Sequence, residues 1–123
     1  MEYDETVYAC AINRVFNYNC RDARMLTERF SSPGEIFAIA GKELRGLLQD
    51  NGRYSDALSD PSTLKAAEEE VRWARERGVG IIYIRDQEYP RRLRECPDAP
   101  VILFYKGTCS LNPSRAVAIV GPR

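Results

Sequence analysis

"YPRRLRECPDAPVILFYKGTCSLNPSRAVAIVGPR", residues 89–123, decides the fold. Tyr89-Pro90 stops an extended chain, and Pro90 presets φ for a short helical turn. Leu93 and Cys96 fall on the buried side of that turn. Asp98-Ala99-Pro100 makes a second turn, with Ala99 held extended by the proline after it. Val101 to Tyr105 is a short apolar run that reads as a strand, and Gly107 ends it. Asn112-Pro113 marks the next turn. Ala116 to Val120 is a further apolar run, and it exits through Gly121, Pro122 and Arg123.

Working outward, "VGIIYI", Val79 to Ile84, is a third run of the same kind. Continuous β-branched runs suit strands buried on both faces, as in α/β sheets. With a helix before the first run and a Gly/Pro-rich link between the other two, residues 79–123 predict the opening of a Rossmann-like domain. The helix is "DPSTLKAAEEEVRWARERG": Asp60 caps it, Pro61 takes the first position and Gly78 closes it. It links the two parts of the chain over 61–78. Leu64, Ala67, Val71 and Ala74 form one apolar stripe, and Glu68 pairs with Arg72 at i,i+4. Trp73 lies off the stripe. Packing on the preceding bundle is the favoured reading for it, and an exposed stacking surface is the other.

Residues 1–60 predict a bundle of four or five short helices. Asp4 caps the first, which carries Val7, Tyr8, Ala11, Ile12, Val15 and Phe16. Asn17-Tyr18-Asn19 breaks it, and Asn19 caps a second helix with Ala23, Leu26 and Phe30 on one face. Ser32, Pro33 and Glu35 read as N-cap, first helical residue and capping box of a third. Gly41 is expected to end that helix, a last piece runs through Leu44, Leu47 and Leu48, and "QDNGRYSD" reads as a loop. Pairs of short helices joined by tight turns resemble helix-hairpin-helix units. Such units approach phosphate through a glycine turn. Here the turn is Asn17-Tyr18-Asn19, where asparagine tolerates left-handed geometry but its side chain hinders close approach. A structural or protein-contact role is favoured over DNA binding.

Bulk properties narrow the classes. The chain of 123 residues is 44% hydrophobic and 29% charged, which excludes general disorder. No apolar run approaches the ~20 residues of a membrane helix, and the acidic start "MEYDETVYAC" is unlike a signal peptide. A cytoplasmic location is expected. Net charge is zero, but residues 1–60 carry 7 basic and 10 acidic groups while residues 61–123 carry 11 and 8. Beyond Asp98 there is no acid, while Lys106, Arg115 and Arg123 remain, so the C-terminal part is suited to face an anion. The cations are 15 Arg and 3 Lys, and arginine forks onto phosphate and stacks on bases. Cys10, Cys20, Cys96 and Cys109 lack metal-ligand spacing and read as buried, reduced core thiols. No metal and no cofactor are expected. With no histidine, Ser-His-Asp and Cys-His catalysis are excluded within this chain.

The spacing Tyr89-Pro90, Leu93, Asp98, Pro100, Leu103, Gly107, then Val117-Ala118-Ile119-Val120-Gly121 and Arg123, resembles the DNA-processing protein A family (DprA, also called Smf). The resemblance implies a helical SAM-like bundle, a linking helix and an extended Rossmann domain. It also implies a role without enzymatic activity: binding and protecting single-stranded DNA during natural transformation, and loading the recombinase RecA onto it, as a homodimer in full-length form. The family's strand-end motif is Gly, then Ser or Thr, then Arg. By resemblance, Gly121 and Arg123 are the phosphate contacts, at the carboxyl end of a strand where such sheets hold anions. Pro122 departs from the motif and lacks both a hydroxyl and an amide hydrogen. The rest of the sheet and the dimer and RecA surfaces are expected beyond residue 123, in a longer protein.

Two other classes compete. Related Rossmann folds hydrolyse nucleoside monophosphates with a glycine-rich loop and an acid, and no such stretch occurs here. The helical bundle could instead be a protein-interaction module that never touches DNA.

Overall fold

The computed structural model describes residues 3–17, 19–39, 41–48, 52–107 and 111–112. Within them the chain forms seven helices and two strands: α1 Glu5–Phe16, α2 Cys20–Arg29, α3 Pro33–Ala38, α4 Gly41–Leu48, α5 Arg53–Ser59, α6 Pro61–Glu76, β1 Gly80–Tyr83, α7 Arg91–Arg94 and β2 Ile102–Tyr105. This is an α+β arrangement, a helical bundle with a two-stranded sheet attached. The expected third strand, 116–120, lies outside the described residues.

The first helix is the centre of the fold. Its Val7, Ala9, Cys10, Ala11, Ile12 and Phe16 are buried, so apolar residues occupy several faces rather than one stripe. That pattern belongs to a helix surrounded by others. Contacts reach α2, α3, α5, α6 and both strands, with α6 the main partner. Ala67, Val71 and Ala74 of α6 are the buried side of that packing. Arg14–Glu70 at 3.0 Å and Arg75–Asp4 at 3.4 Å flank it at the surface.

Most helix ends follow the sequence signals. Asp4 accepts from the Val7 amide, Asn19 from Asp22 and Asp60 from Ser62. At the far end of α6, Gly78 turns at φ 67°. The Val79 amide then reaches the Ala74 carbonyl at 2.8 Å and the Gly78 amide reaches Arg75 at 3.3 Å, a Schellman closure.

Four expectations are corrected. Ser32 stands at the N-cap of α3 without a side-chain bond there. Glu5 of α1 takes the Gly34 amide at 2.8 Å instead, and Glu35 reaches back one residue further, to the Ser31 amide at 3.1 Å and hydroxyl at 2.7 Å. Gly41 opens α4 rather than closing α3. Residues 53–56, read as the end of a loop, instead begin the helix Arg53–Ser59; Gly52 at φ 89° makes the turn, and Tyr54 stacks on Phe16 at 4.7 Å. Trp73 is 50% exposed. It sits two residues past Val71, about 200° around the helix, so it faces away from α1.

The sheet also differs from a doubly covered α/β arrangement. β1 and β2 pair antiparallel, with Gly80 opposite Tyr105 and Tyr83 opposite Ile102. Ile82, Ile84, Val101 and Ile102 are buried, but Phe104 and Tyr105 are exposed. Burial therefore fades along the ribbon, away from the end packed on α1. The link between the strands holds one four-residue helix, too little for the crossover that a parallel pair requires. It closes on itself instead.

Candidate functional site

That closed link positions the most chemically distinctive region of the described residues. Asp86 starts it: its amide bonds Tyr83 O at 2.8 Å and its carboxylate accepts the Tyr83 amide at 2.9 Å. Tyr89 is fully buried and donates its hydroxyl to Pro100 O at 2.6 Å. Burial pushes that phenol up to about 12, so it stays a neutral donor. Asn112 accepts from the Arg91 amide at 2.7 Å, which caps α7, and donates to Tyr89 O at 3.1 Å.

Arginines join this link to α2. Arg85 gives one terminal nitrogen to both Thr27 O at 3.0 Å and Phe30 O at 2.8 Å, carbonyls at the C-terminal end of α2. A cation there also matches the helix dipole. Arg94 donates to Ile84 O at 2.8 Å and Asp86 O at 2.6 Å, and lies 5.4 Å over the Tyr89 ring. From α2, Arg24 donates to Cys96 O and pairs with Glu28 at 3.2 Å. The three guanidiniums converge on a cleft of about 340 Å³ that Thr27, Glu28 and Ile84 complete.

Each of these arginines spends two of its five N–H groups on the bonds just given. The remainder can donate to an oxyanion. Because carbonyls already fix the guanidiniums, a ligand would find them in place and lose little side-chain entropy in binding them. Among the described residues no group of three or more His, Cys, Asp or Glu could hold a metal.

Gly121 and Arg123, the strand-end pair, lie outside the described residues, as do Pro122, Arg115 and Cys109. The Asn17 turn has φ 48°, the positive value that asparagine permits. Asn19 is occupied, bonding Asp22 at 2.7 Å and the Tyr54 hydroxyl at 3.2 Å. Trp73 carries Arg77 4.9 Å above its ring. Of the three thiols among the described residues, Cys10 alone is buried as expected; Cys20 is half-buried, and Cys96 is exposed in the turn after α7. Burial pushes Cys10 up to about 12, with Glu70 and Asp4 adding to the shift.

Sequence reasoning missed the arginine cleft. Arg24 and Arg85 belong to opposite halves of the chain, and counting charge by halves placed α2 in the acidic one.

The fold and the cleft define a class: an α+β chain with an arginine-lined cleft between α2 and the link that joins its strands. The family model for DNA recombination-mediator protein A matches residues 80–123. That span takes in β1, α7, β2 and residues 121–123, and it begins beyond the helical bundle. No curated protein and no solved structure matches the chain closely. No helix among the described residues is long and apolar enough to cross a membrane.

Proposed function

We propose that this chain is the N-terminal part of a single-stranded DNA-binding recombination mediator, which protects incoming DNA and loads RecA during natural transformation. The observation that carries the reading is the family match over residues 80–123. In this reading the bundle over 1–60 is the SAM-like unit, 61–78 the linking helix and 79–123 the first part of a Rossmann-like domain. Gly121 and Arg123 contact phosphate. Homodimer and RecA surfaces lie in the longer protein, which acts in the cytoplasm without catalysis.

Fluorescence anisotropy with a labelled oligothymidylate tests it. Binding is expected to weaken steeply with salt, at about 0.7 in log K per phosphate contact, and to resist competition by duplex. Arg123→Ala is expected to weaken it several-fold. Equal displacement by duplex and single strands would overturn the reading, and unchanged affinity in Arg123→Ala would remove that residue from the site.

A further inference from the structure

The arginine cleft does not end at Arg24. A second cleft of about 570 Å³ lies on the other side of that residue, lined by Arg21, Met25, Arg29 and Pro97, and it shares both Arg24 and Glu28 with the first. The two make one groove along α2. Its lining holds five arginines, at 21, 24, 29, 85 and 94, against a single carboxylate, Glu28.

We propose that this groove binds the phosphate backbone of a single-stranded nucleic acid, so that the helical bundle supplies a second contact separate from Gly121 and Arg123. The proposal rests on the DNA-binding reading above for the identity of the polyanion, and on the groove's own geometry for its place. Eight residues of α2 separate Arg21 from Arg29, a rise of about 12 Å. One phosphate cannot span that, whereas successive phosphates of an extended strand can. Carbonyl bonds hold Arg24, Arg85 and Arg94, while Arg21 and Arg29 are exposed to solvent. Met25, Pro97 and Ile84 offer apolar contact but no pattern of donors and acceptors for reading base edges. Recognition is therefore tolerant of sequence.

Glu28 sets the threshold. Its carboxylate pairs with Arg24 at 3.2 Å and is well exposed. An incoming phosphate takes its place on the guanidinium, and Glu28 swings to solvent. The groove consequently discriminates against weak monoanions and favours a polyanion.

The test uses the 123-residue chain with a labelled oligothymidylate of about 20 nucleotides, and tripolyphosphate as a second probe. Arg21→Ala/Arg29→Ala avoids the carbonyl-bonded arginines, so folding is retained. It is expected to make the slope of log K against log salt shallower by about 1.4, at about 0.7 per phosphate. Glu28→Gln is expected to tighten binding about 2–5-fold at low salt, the scale of one exposed charge pair. Lys65→Ala, on the exposed face of α6, removes one charge outside the groove, half of what the double variant removes, and is expected to leave affinity unchanged. Oligonucleotide binding that ignores the double variant and Glu28→Gln but is lost in Arg123→Ala overturns the groove and keeps the DNA-binding reading. Tripolyphosphate binding that Arg21→Ala/Arg29→Ala weakens, with no oligonucleotide binding, overturns the nucleic-acid assignment and that reading with it. A Lys65→Ala loss equal, charge for charge, to that of the double variant reduces the effect to net charge and overturns the proposal.

Discussion

The Tyr89 hydroxyl donates to the Pro100 carbonyl across eleven residues of chain, at 2.6 Å, from a fully buried ring. Together with the Ile84 amide, which bonds the Val101 carbonyl at 2.8 Å, it holds the link between β1 and β2 closed. Pro90 and Pro100, each beside one end of it, preset the backbone at both turns. Tyr89→Phe keeps the ring but leaves Pro100 O without its donor. A loss of about 1–2 kcal/mol is expected, the cost of a buried acceptor left unpaired. Urea denaturation checks it. An unchanged midpoint would show that water replaces the phenol there.

Alkaline pH acts through the same burial. Tyr89 and Tyr83 are pushed up to about 12 from 10, and Cys10 to about 12 from 9. All three groups are uncharged in the fold, and their raised values mean that the unfolded chain gives up its protons first. Their contribution is complete below about pH 9 and falls as pH rises toward 12. Denaturation midpoints measured from neutral pH upward are expected to drop first through the thiol window. Cys10→Ala is expected to flatten that first part of the curve and leave the tyrosine part in place. A profile flat to pH 11 in the parent chain would contradict the burial of these groups.

Local signals were legible wherever one side chain acts on nearby backbone. Asp4, Asn19 and Asp60 cap the helices assigned to them, and Gly78 closes α6 in the conformation that glycine permits. Signals failed where a distant partner took over. Glu5 satisfies α3 from another helix, so the capping box at Ser32 does not form. The short α5 was hidden by Asn51-Gly52 and by its own Ser and Asp residues, although Tyr54 and Leu58 stand at helical spacing. The arginine groove needs residues from α2 and the link to meet, and no periodicity reports that. The residues that carry the family resemblance were readable because turns, prolines and glycines fix their spacing locally.

Arg85 is expected to matter more than an exposed cation usually does. It bonds two carbonyls at the end of α2, at 3.0 and 2.8 Å, and so fastens the link to the bundle. Arg85→Ala is expected to cost about 1–2 kcal/mol, since bonds from a charged donor exceed neutral ones. Arg85→Lys recovers the charge but not the double bond, and is expected to fall between the two. Equal stability of Arg85→Ala and the parent chain, by thermal or urea denaturation, would mean that water serves those carbonyls as well.

Gly80 stands opposite Tyr105 in the sheet, and the tyrosine ring lies over it so closely that an added Cβ would sit 2.0 Å from the ring. Here the absence of a side chain lets an aromatic cover the backbone at the end of β1. Gly80→Ala has to push the ring outward, where Tyr105 is already partly exposed. A loss of about 1–3 kcal/mol is expected, as for other overpacked sites. Tyr105→Ala in the same background is expected to add little further loss, because the alanine at 80 has already displaced the ring. A double-mutant cycle measured by denaturation separates this from independent effects, which would add. Additivity would show that the ring and Gly80 are not in contact in solution.

The chain's only tryptophan gives the last prediction a direct optical readout. Trp73 is 50% exposed on the side of α6 away from α1, with Arg77 4.9 Å over its ring. An expectation of core packing required the ring to turn toward the bundle, but Ala67, Val71 and Ala74 already fill that side. Trp73→Ala is therefore expected to change stability by no more than about 0.5 kcal/mol, the range of surface substitutions. Emission of the native chain is expected to be red-shifted and readily quenched by acrylamide, with a small further shift on unfolding. Iodide is expected to quench more than its exposure alone dictates, because Arg77 draws the anion to the ring, and Arg77→Ala is expected to remove that excess. Blue-shifted emission together with a large loss of stability in Trp73→Ala would place the ring in the core after all.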